Sequence, residues 1–346
     1  MNSQPMPETA TYPVGKLPQD VLIEMLTHKL SVADPRVILG PGLGRDAAVI
    51  DFGERCLVTK TDPITFASDE IGWYAVNVNA NDVACLGARP RWFIATLMLP
   101  ERQTTKAMVA EIFEQMHAAC HEIGATVVGG HTEITHGLSR PIVVGAMFAE
   151  VSPARLVRSD GARPGDVLLL TKGIAVEGTA LLAREAPDRL QAAVAEEALA
   201  EAARFLHAPG ISVVRDAMVA ADTGVVHAMH DPTEGGVATG IHEMTRAAGV
   251  GAEIEAAALP IYPETEAICD ALSLDPLGLI ASGSLLAAVA PEHADRVIAD
   301  LREAGIAAAN IGTITEATDV ILRSTEGARP LPTFERDEIA RVFEAP

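Results

Sequence analysis

The chain has few cysteines, few basic residues and no long apolar run. Four cysteines occur in 346 residues, and none forms a CxxC pair or has histidines at zinc-like spacing, so neither a zinc ribbon nor a disulfide framework is indicated. Reduced, buried thiols are expected, which fits a cytoplasmic location. No apolar run approaches the ~20 residues of a membrane span. The N-terminus also lacks a basic region followed by an apolar stretch, so we expect neither a membrane nor a secreted protein.

Acidic residues strongly outnumber basic ones. The sequence has 26 Lys and Arg against 47 Asp and Glu, which gives a formal net charge of −21, and no Lys/Arg block offsets it. Such a surface repels phosphate backbones and anionic lipid, so we expect no nucleic-acid or membrane partner. An anionic nucleotide would need divalent cations to bind to so acidic a chain.

Length and hydrophobic patterning favour two α/β or α+β domains, because strands and helices alternate in both halves. The segment 152–166, rich in Pro and Gly, is the predicted boundary. We expect a flexible N-terminal arm over 1–17, a first domain over 18–153 and a second over 160–346. The predicted helices are 18–31, 69–87, 104–123, 190–206, 235–249 and 292–304. The predicted strands are 47–51, 56–62, 92–99, 126–130, 141–151, 167–171, 225–231, 285–290, 309–314 and 319–322.

Three aspartates in the first half are candidate magnesium or phosphate-site ligands. Asp46 lies in GLGRDAAVI before a strand, Asp62 ends the strand CLVTKTD, and Asp82 lies with three asparagines in an otherwise apolar helix. Hard oxygen ligands suit Mg²⁺, which usually takes one or two carboxylates together with phosphate oxygens and water. A turn or cap role is the alternative for Asp46 or Asp62, and a satisfied buried polar network is the alternative for Asp82.

The motif GGHTEI (129–134) follows a predicted strand. Gly129 and Gly130 would allow the backbone to approach a ligand closely. His131 and Glu133 could bind metal or shuttle protons, although a hydrogen-bonded turn explains the motif equally well.

Two strand–turn–helix junctions in the second half offer helix N-termini for phosphate. TKGIAVEGTALLA (171–183) contains Gly173, but its GxxxxG is followed by Thr179 and no lysine, so it is not a Walker A loop. HDPTEGGVATGIHE (230–243) sets Asp231 beside Gly235 and Gly236. A plain structural junction is the alternative for both.

Taken in order, these segments resemble the superfamily of AIR synthase, thiamine-monophosphate kinase, selenophosphate synthetase and the hydrogenase-maturation protein HypE. GRDAAVI resembles the first Asp motif, TKTD the (S/T)TD strand, NDVACLGARPRWF the ND(L/V)AxxGAxP helix, and GGHT the usual GGDT. The segment DPTEGGVATGIHEMTRAAGVGAEIE and the residues after it closely follow HypE-type proteins. The resemblance covers about residues 18–325.

The resemblance implies a PurM-like two-domain α/β (α+β) fold, in which the first sheet forms the interface of a homodimer and the second domain is an α/β layer. It also implies ATP and Mg²⁺ as cofactors. Carried over by match, Asp46, Asp62 and Asp82 would be metal ligands. Gly129 and Gly130 would line the site, and Asp231 would face it. We add Gly173 to the candidate cofactor contacts, and Asp231 and His131 are the candidate catalytic residues.

The sequence also departs from the family pattern. His131 replaces the aspartate of GGDT, and Arg45 stands where a kinase often has an acid. HypE proteins end in a cysteine, whereas this sequence ends RVFEAP, so we expect no standard HypE reaction on its own tail. The leading expectation is an ATP-dependent enzyme that phosphorylates an amide, carbonyl or phosphate oxygen of a small-molecule or protein-bound substrate. The alternatives are a kinase like thiamine-monophosphate kinase and a non-catalytic nucleotide-binding maturation or scaffold protein.

Overall fold

The structure is a computed structural model that describes residues 12, 17, 19–29, 32–42, 44–45, 47–65, 67 and 69–343. The N-terminal arm predicted over 1–17 therefore lies outside the described residues except for residues 12 and 17. The described part of the chain forms two mixed sheets, each flanked by helices, and the fold class predicted from the sequence is confirmed.

The first sheet contains six strands among the described residues, in the order β1-β2-β3-β6-β4-β5. Neighbouring strands run antiparallel, except for β4 and β5, which are parallel and are joined through a helix. The strands are β1 (Val37–Leu39), β2 (Ala48–Asp51), β3 (Cys56–Ile64), β4 (Arg89–Pro100), β5 (Thr126–Thr135) and β6 (Ile142–Val151). The helices of this half are α1 (Gln19–Lys29), α2 (Ile71–Cys85) and α3 (Lys106–Ile123).

Helix α2 is buried on almost every side. It packs against β3 and β6 of the first sheet, against α3, and against the second domain. Its small and apolar residues explain that position, but Asn77, Asn79, Asn81 and Asp82 are buried with them. Buried polar groups are stable only when they are hydrogen-bonded or paired, so these four side chains must be held by specific partners.

The second sheet contains seven strands among the described residues, in the order β13-β12-β9-β11-β7-β10-β8. Of the strand pairs described in this sheet, β12–β9 alone is parallel. The strands are β7 (Val167–Thr171), β8 (Val226–His230), β9 (Gly251–Glu255), β10 (Leu286–Val289), β11 (Ala308–Thr315), β12 (Val320–Ser324) and β13 (Gly327–Pro330). The helices are α4 (Val176–Glu185), α5 (Pro187–Leu190), α6 (Glu196–Arg204), α7 (Val214–Asp222), α8 (Gly236–Ala248), α9 (Pro263–Leu272), α10 (Ala294–Glu303) and α11 (Ala340–Phe343).

One predicted helix is shorter in the structure, and several elements lack a sequence prediction. The helix expected over 190–206 begins only at Glu196, because the chain is extended at Ala195 after α5 has ended. Alanine content alone did not reveal that break. Helices α7 and α9 and strand β9 were not predicted, since each is short and fixed mainly by its packing. The predicted boundary segment 152–166 lies between the two sheets, and the domain limits stay predictions.

Candidate functional site

Lys60 on β3 joins two of the predicted acids. Its Nζ lies 3.1 Å from Asp62 Oδ2 and 3.4 Å from Asp82 Oδ1. Lys60 and Asp62 are two residues apart on one strand, so their side chains share a face, and Asp82 reaches them from α2. The Asp82 side chain is only 5% exposed, whereas that of Asp62 is 34% exposed. The structure therefore brings these two carboxylates together around one ammonium group, with Asp62 on the solvent side and Asp82 on the buried side.

Asn79 fixes the position of α2 against β3. The Asp62 N–H donates to Asn79 Oδ1 (2.8 Å), and Asn79 Nδ2 donates to the carbonyls of Asp62 (3.2 Å) and Ala75 (2.9 Å). Gly145 on β6 makes this approach possible, because a Cβ there would lie 2.5 Å from Asn79 Nδ2. The polar side chains of α2 thus hold the backbone that carries Asp62.

The second domain contributes Asp231 to the same region. Asp231 follows β8 and is buried, and Cys85, one turn after Asp82 on α2, donates from Sγ to Asp231 Oδ1 at 3.5 Å. Asn81 of α2 also forms hydrogen bonds with the backbone of the second domain. Its Nδ2 donates to the carbonyl of residue 211 and its Oδ1 accepts from the N–H of residue 213, both at 2.8 Å.

Asp46 lies outside the described residues, but its neighbours are described. Gly44 packs on α8, where an added Cβ would lie 2.6 Å from the Glu243 carbonyl oxygen. Glu243 in turn lies 3.1 Å from His230, the residue before Asp231. Gly44, two residues before Asp46, therefore lies against α8, the helix that follows the DPTEGG junction. Whether Asp46 joins the other acids stays a prediction.

The GGHTEI motif lies elsewhere in the same chain. Asp62, Gly145, Ala95 and Gly130 form one row of partners across the first sheet. Three strand spacings separate the ends of that row, so Gly130 lies about 14 Å from Asp62. His131 is exposed, and its Nε2 is 3.0 Å from Glu133 Oε2. That contact with His131 is the main cause that lowers the pKa of Glu133.

The two glycines of this motif have different surroundings. A Cβ on Gly130 would lie 2.1 Å from the Ala95 carbonyl oxygen, so close strand pairing explains that glycine. A Cβ on Gly129 would meet no atom within 4 Å, so this position is open. Contact of either residue with a nucleotide stays a prediction.

Gly173 lies in a buried loop of the second domain. A Cβ there would lie 2.6 Å from the ring of Tyr262, and the Gly173 carbonyl accepts a hydrogen bond from Ser284 Oγ at 2.6 Å. Packing therefore accounts for the glycine, and contact with a cofactor at this position stays a prediction.

Buried acids surround the start of α8. Asp337 accepts hydrogen bonds from the N–H groups of Gly235 (2.6 Å) and of residues 280 and 339, yet burial raises its pKa to about 6. Glu177 on α4 is buried nearby, and burial raises the pKa of its carboxyl to about 7, with the charges of Asp337 and Glu234 adding to the effect. These acids are stabilised in their protonated forms by the second domain.

Among the described residues, no group of three His, Cys, Asp or Glu side chains is arranged to hold a metal ion. The predicted trio includes Asp46 and is therefore not tested by this finding. Sequence reasoning gave no role to Lys60 or Cys85. The spacing of Lys60 and Asp62 on one strand was the available signal for the first, whereas nothing local marked Cys85. No described helix has the length and apolar content that crossing a bilayer requires.

Two mixed sheets, with α2 of the first half packed against the second half and hydrogen-bonded to it through Asn81 and Cys85, define a two-domain α/β protein of the PurM-like class. The model of the AIR synthase related protein N-terminal domain matches residues 44–151, and that of the C-terminal domain matches residues 163–324. The two matches cover most of the chain, which therefore belongs to the AIR synthase related family.

Among curated proteins, the carbamoyl dehydratase HypE of Rhizobium leguminosarum bv. viciae is 30% identical over 331 residues, covering 93% of this chain and 91% of HypE. A crystal structure of the hydrogenase maturation protein HypE in complex with ATP is 26% identical, with a TM-score of 0.69 and coverage of 94% and 97% of the two chains.

Two further structures share the fold. A thiamine-monophosphate kinase crystallised with AMPPCP and TMP has a TM-score of 0.74 at 20% identity, covering 94% of this chain and 99% of the kinase. A chain in a crystal structure of a HypE–HypF complex has a TM-score of 0.71 at 23% identity, covering 84% of this chain and 93% of the other.

Proposed function

We propose that this chain binds ATP with Mg²⁺ where β3, α2 and the β8–α8 junction meet, and that it phosphorylates an amide, carbonyl or phosphate oxygen of its substrate. The observation that carries the proposal is the placement of Asp62 and Asp82 around the Lys60 ammonium. A cation already occupies the space between these carboxylates, which marks a point where positive charge is stabilised. The ATP complex of a HypE relative supports the nucleotide.

The side chains fit this cofactor pair. Carboxylate oxygens are the ligands that Mg²⁺ prefers, and one or two of them normally suffice when phosphate oxygens complete the shell. Asp62 is partly open to solvent, so a nucleotide can reach it, while the buried Asp82 holds its charge at a fixed place. Gly44, two residues before Asp46, packs on α8 after the same junction, which supports Asp46 as the third acid.

Each residue has a role in this proposal. Asp62 and Asp82 hold the metal, and Lys60 orients both carboxylates and adds a positive charge beside the phosphates. Mg²⁺ held by these residues would supply positive charge that offsets the charge of the phosphates during transfer. Asp231 is the candidate group for accepting a proton from the attacking substrate, whereas His131, the other candidate from the sequence, lies on β5 apart from this site and takes no part in the proposal.

Strand β5 is where we propose that a second copy of the chain pairs. It is the edge of the first sheet, almost all of its ten residues are exposed, and among the described residues no strand covers its outer side. Val128 and Ile134 are 53% and 65% exposed on it. Long exposed edges of this kind are normally paired or protected. Light scattering should show a dimer for the wild type and a monomer for Val128→Lys, with Phe113→Lys, on the exposed face of α3, as the control.

Calorimetry of ATP with and without Mg²⁺ tests the cofactor proposal. We expect Mg²⁺-dependent binding that Asp62→Asn weakens by roughly 10-fold or more, because a charge-assisted contact contributes about 1.5–3 kcal/mol. Asp188→Asn, an exposed acid on α5, is the matched control and should bind normally. Absence of ATP binding, or equal affinities for the two variants, would refute the proposal.

A metabolite screen for ADP release tests turnover. ADP that appears only with one added metabolite would favour a kinase like thiamine-monophosphate kinase. Nucleotide binding without turnover, together with co-purification of a partner, would favour a maturation or scaffold protein. One observation favours the maturation or scaffold function. His131, which pairs with Glu133 on the surface, stands where the resemblance implies an acid.

A further inference from the structure

A cavity of about 190 Å³ lies where the start of β4 and the end of β6 in the first sheet meet α7 of the second domain. It lies apart from the site of Lys60, because Arg55, immediately before β3, is five residues from Lys60, or about 17 Å along an extended chain. Four of its lining residues are arginines and two are acids. These six are Arg55, Arg89, Arg91, Arg155, Glu150 and Asp222.

The balance of charge in this cavity is the reverse of that in the chain. The whole sequence has almost two acids for each basic residue, whereas here arginines outnumber acids by two to one. Arg155 pairs with Asp222 of α7. In the part of the chain that the structure describes, Arg55, Arg89 and Arg91 have no carboxylate within ion-pair distance. Three such guanidinium groups around one cavity repel one another, and an anion between them would remove that repulsion.

Local backbone features bring the arginines together. Arg89 lies opposite Glu150 in the β4–β6 pair, and the register then shifts between Pro90 and Trp92, which leaves Arg91 as the extra residue of a bulge. Bulges re-aim side chains and are frequent beside functional sites. Arg89 and Arg91 share a face of β4 through the ordinary alternation of a strand, and the bulge changes the register only of the residues that follow Arg91.

A glycine positions the fourth arginine. Gly87 has a φ of +72°, and an added Cβ would lie 2.7 Å from the Arg155 carbonyl oxygen. Only glycine allows the linker after β6 to pass so close to the turn after α2, and the N–H of Val157 donates to the Leu86 carbonyl there (3.1 Å). The motif LGARPR thus builds one wall of the cavity through Gly87, Arg89 and Arg91.

We propose that this cavity binds a compact phosphate-bearing anion, such as phosphate, pyrophosphate or the phosphate group of a small metabolite. The guanidinium fork matches phosphate oxygens, and several arginines suit a dianion or a more highly charged group. The volume is below the roughly 300–1,000 Å³ of pockets for drug-sized ligands, which favours a small anion. Asp222, which already pairs with Arg155, competes with that anion for this arginine.

Because Asp222 competes with the anion, removing its charge should strengthen anion binding, whereas removing an arginine should weaken it. Calorimetry with sodium pyrophosphate and with phosphate, at constant ionic strength and without Mg²⁺, should show one saturable site per chain. Arg91→Gln should weaken it by roughly tenfold, the effect of one charge-assisted contact, and Asp222→Asn should tighten it severalfold. Arg296→Gln, an exposed arginine of α10, is the matched control. Since Arg91 is exposed, the variant should keep its melting temperature and its affinity for Mg–ATP.

Four results would overturn the proposal: no saturable binding of either anion, equal weakening by Arg91→Gln and Arg296→Gln, weaker binding by Asp222→Asn, or tighter binding of malonate or a glutamate-rich peptide than of pyrophosphate. The last would identify a carboxylate or acidic-protein surface instead. Because Arg91→Gln and Asp62→Asn act on different ligands, failure here leaves the proposed ATP site untouched.

Discussion

Replacing Lys60 by methionine should convert the Asp62–Asp82 pair into a site that needs an added cation. The two contacts of Nζ, 3.1 and 3.4 Å, place the nearest oxygens of the carboxylates no more than about 6.5 Å apart. At an effective dielectric constant near 20, two unit charges at that separation repel by about 2–3 kcal/mol. Because Asp62 is a third exposed, solvent screening reduces this, and roughly 1–3 kcal/mol of lost stability is expected.

Thermal unfolding against Mg²⁺ concentration measures that effect. Without Mg²⁺, Lys60→Met should melt about 2–12 °C below the wild type, given roughly 2–4 °C for each kcal/mol in domains of this size. Added Mg²⁺ should narrow the gap, because an ion that binds only the folded state stabilises it by mass action. Lys106→Met, an exposed lysine at the start of α3, should show neither effect. A gap that Mg²⁺ leaves unchanged would refute the view that these carboxylates form a cation site.

Three further perturbations test other parts of the molecule. The pKa of Glu177 is raised by burial from 4.5 to about 7, so its stabilising contribution is complete below pH 4.5 and is lost as pH rises through 7. Glu177→Gln should therefore flatten the fall in melting temperature between about pH 5 and 8, and a slope equal to the wild type's would contradict this. Asn81→Ala leaves two buried backbone groups of the second domain without their partner and should lower the free energy of unfolding by about 2–4 kcal/mol, measured in urea, whereas a loss below about 0.5 kcal/mol would count against the domain tie. Gly145→Ala should push Asn79 away from β3 and weaken ATP binding while costing about 1–3 kcal/mol of stability, and unchanged affinity would show that this approach is not needed.

Periodicity and the resemblance were enough to predict the fold class, since long elements such as α2, α3 and β6 carry strong local signals. The placement of Asp62 beside Asp82 followed from the resemblance, and the structure brings the two together. The Lys60 bridge was not predicted, because it depends on how α2 packs over β3 rather than on any pattern in either segment. Spacing along one strand shows which side chains share a face but not what lies opposite them.

The contacts between the two domains also could not be predicted from the sequence. Cys85 and Asp231 are 146 residues apart, and no local rule predicts that the thiol donates to that carboxylate. His131 shows the opposite case. Its motif was noticed in the sequence, but it lies on an edge strand three strand spacings from Asp62.

The burial of α2 limits how this protein can be divided. A fragment ending at residue 153 would keep the first sheet but expose the side of α2 that carries Asn81, with the apolar residues around it. A chimera that joined this half to the second half of a relative would need matching carbonyl and N–H groups near positions 211 and 213. The two halves are therefore expected to be inherited and exchanged as one unit, even though each has its own sheet.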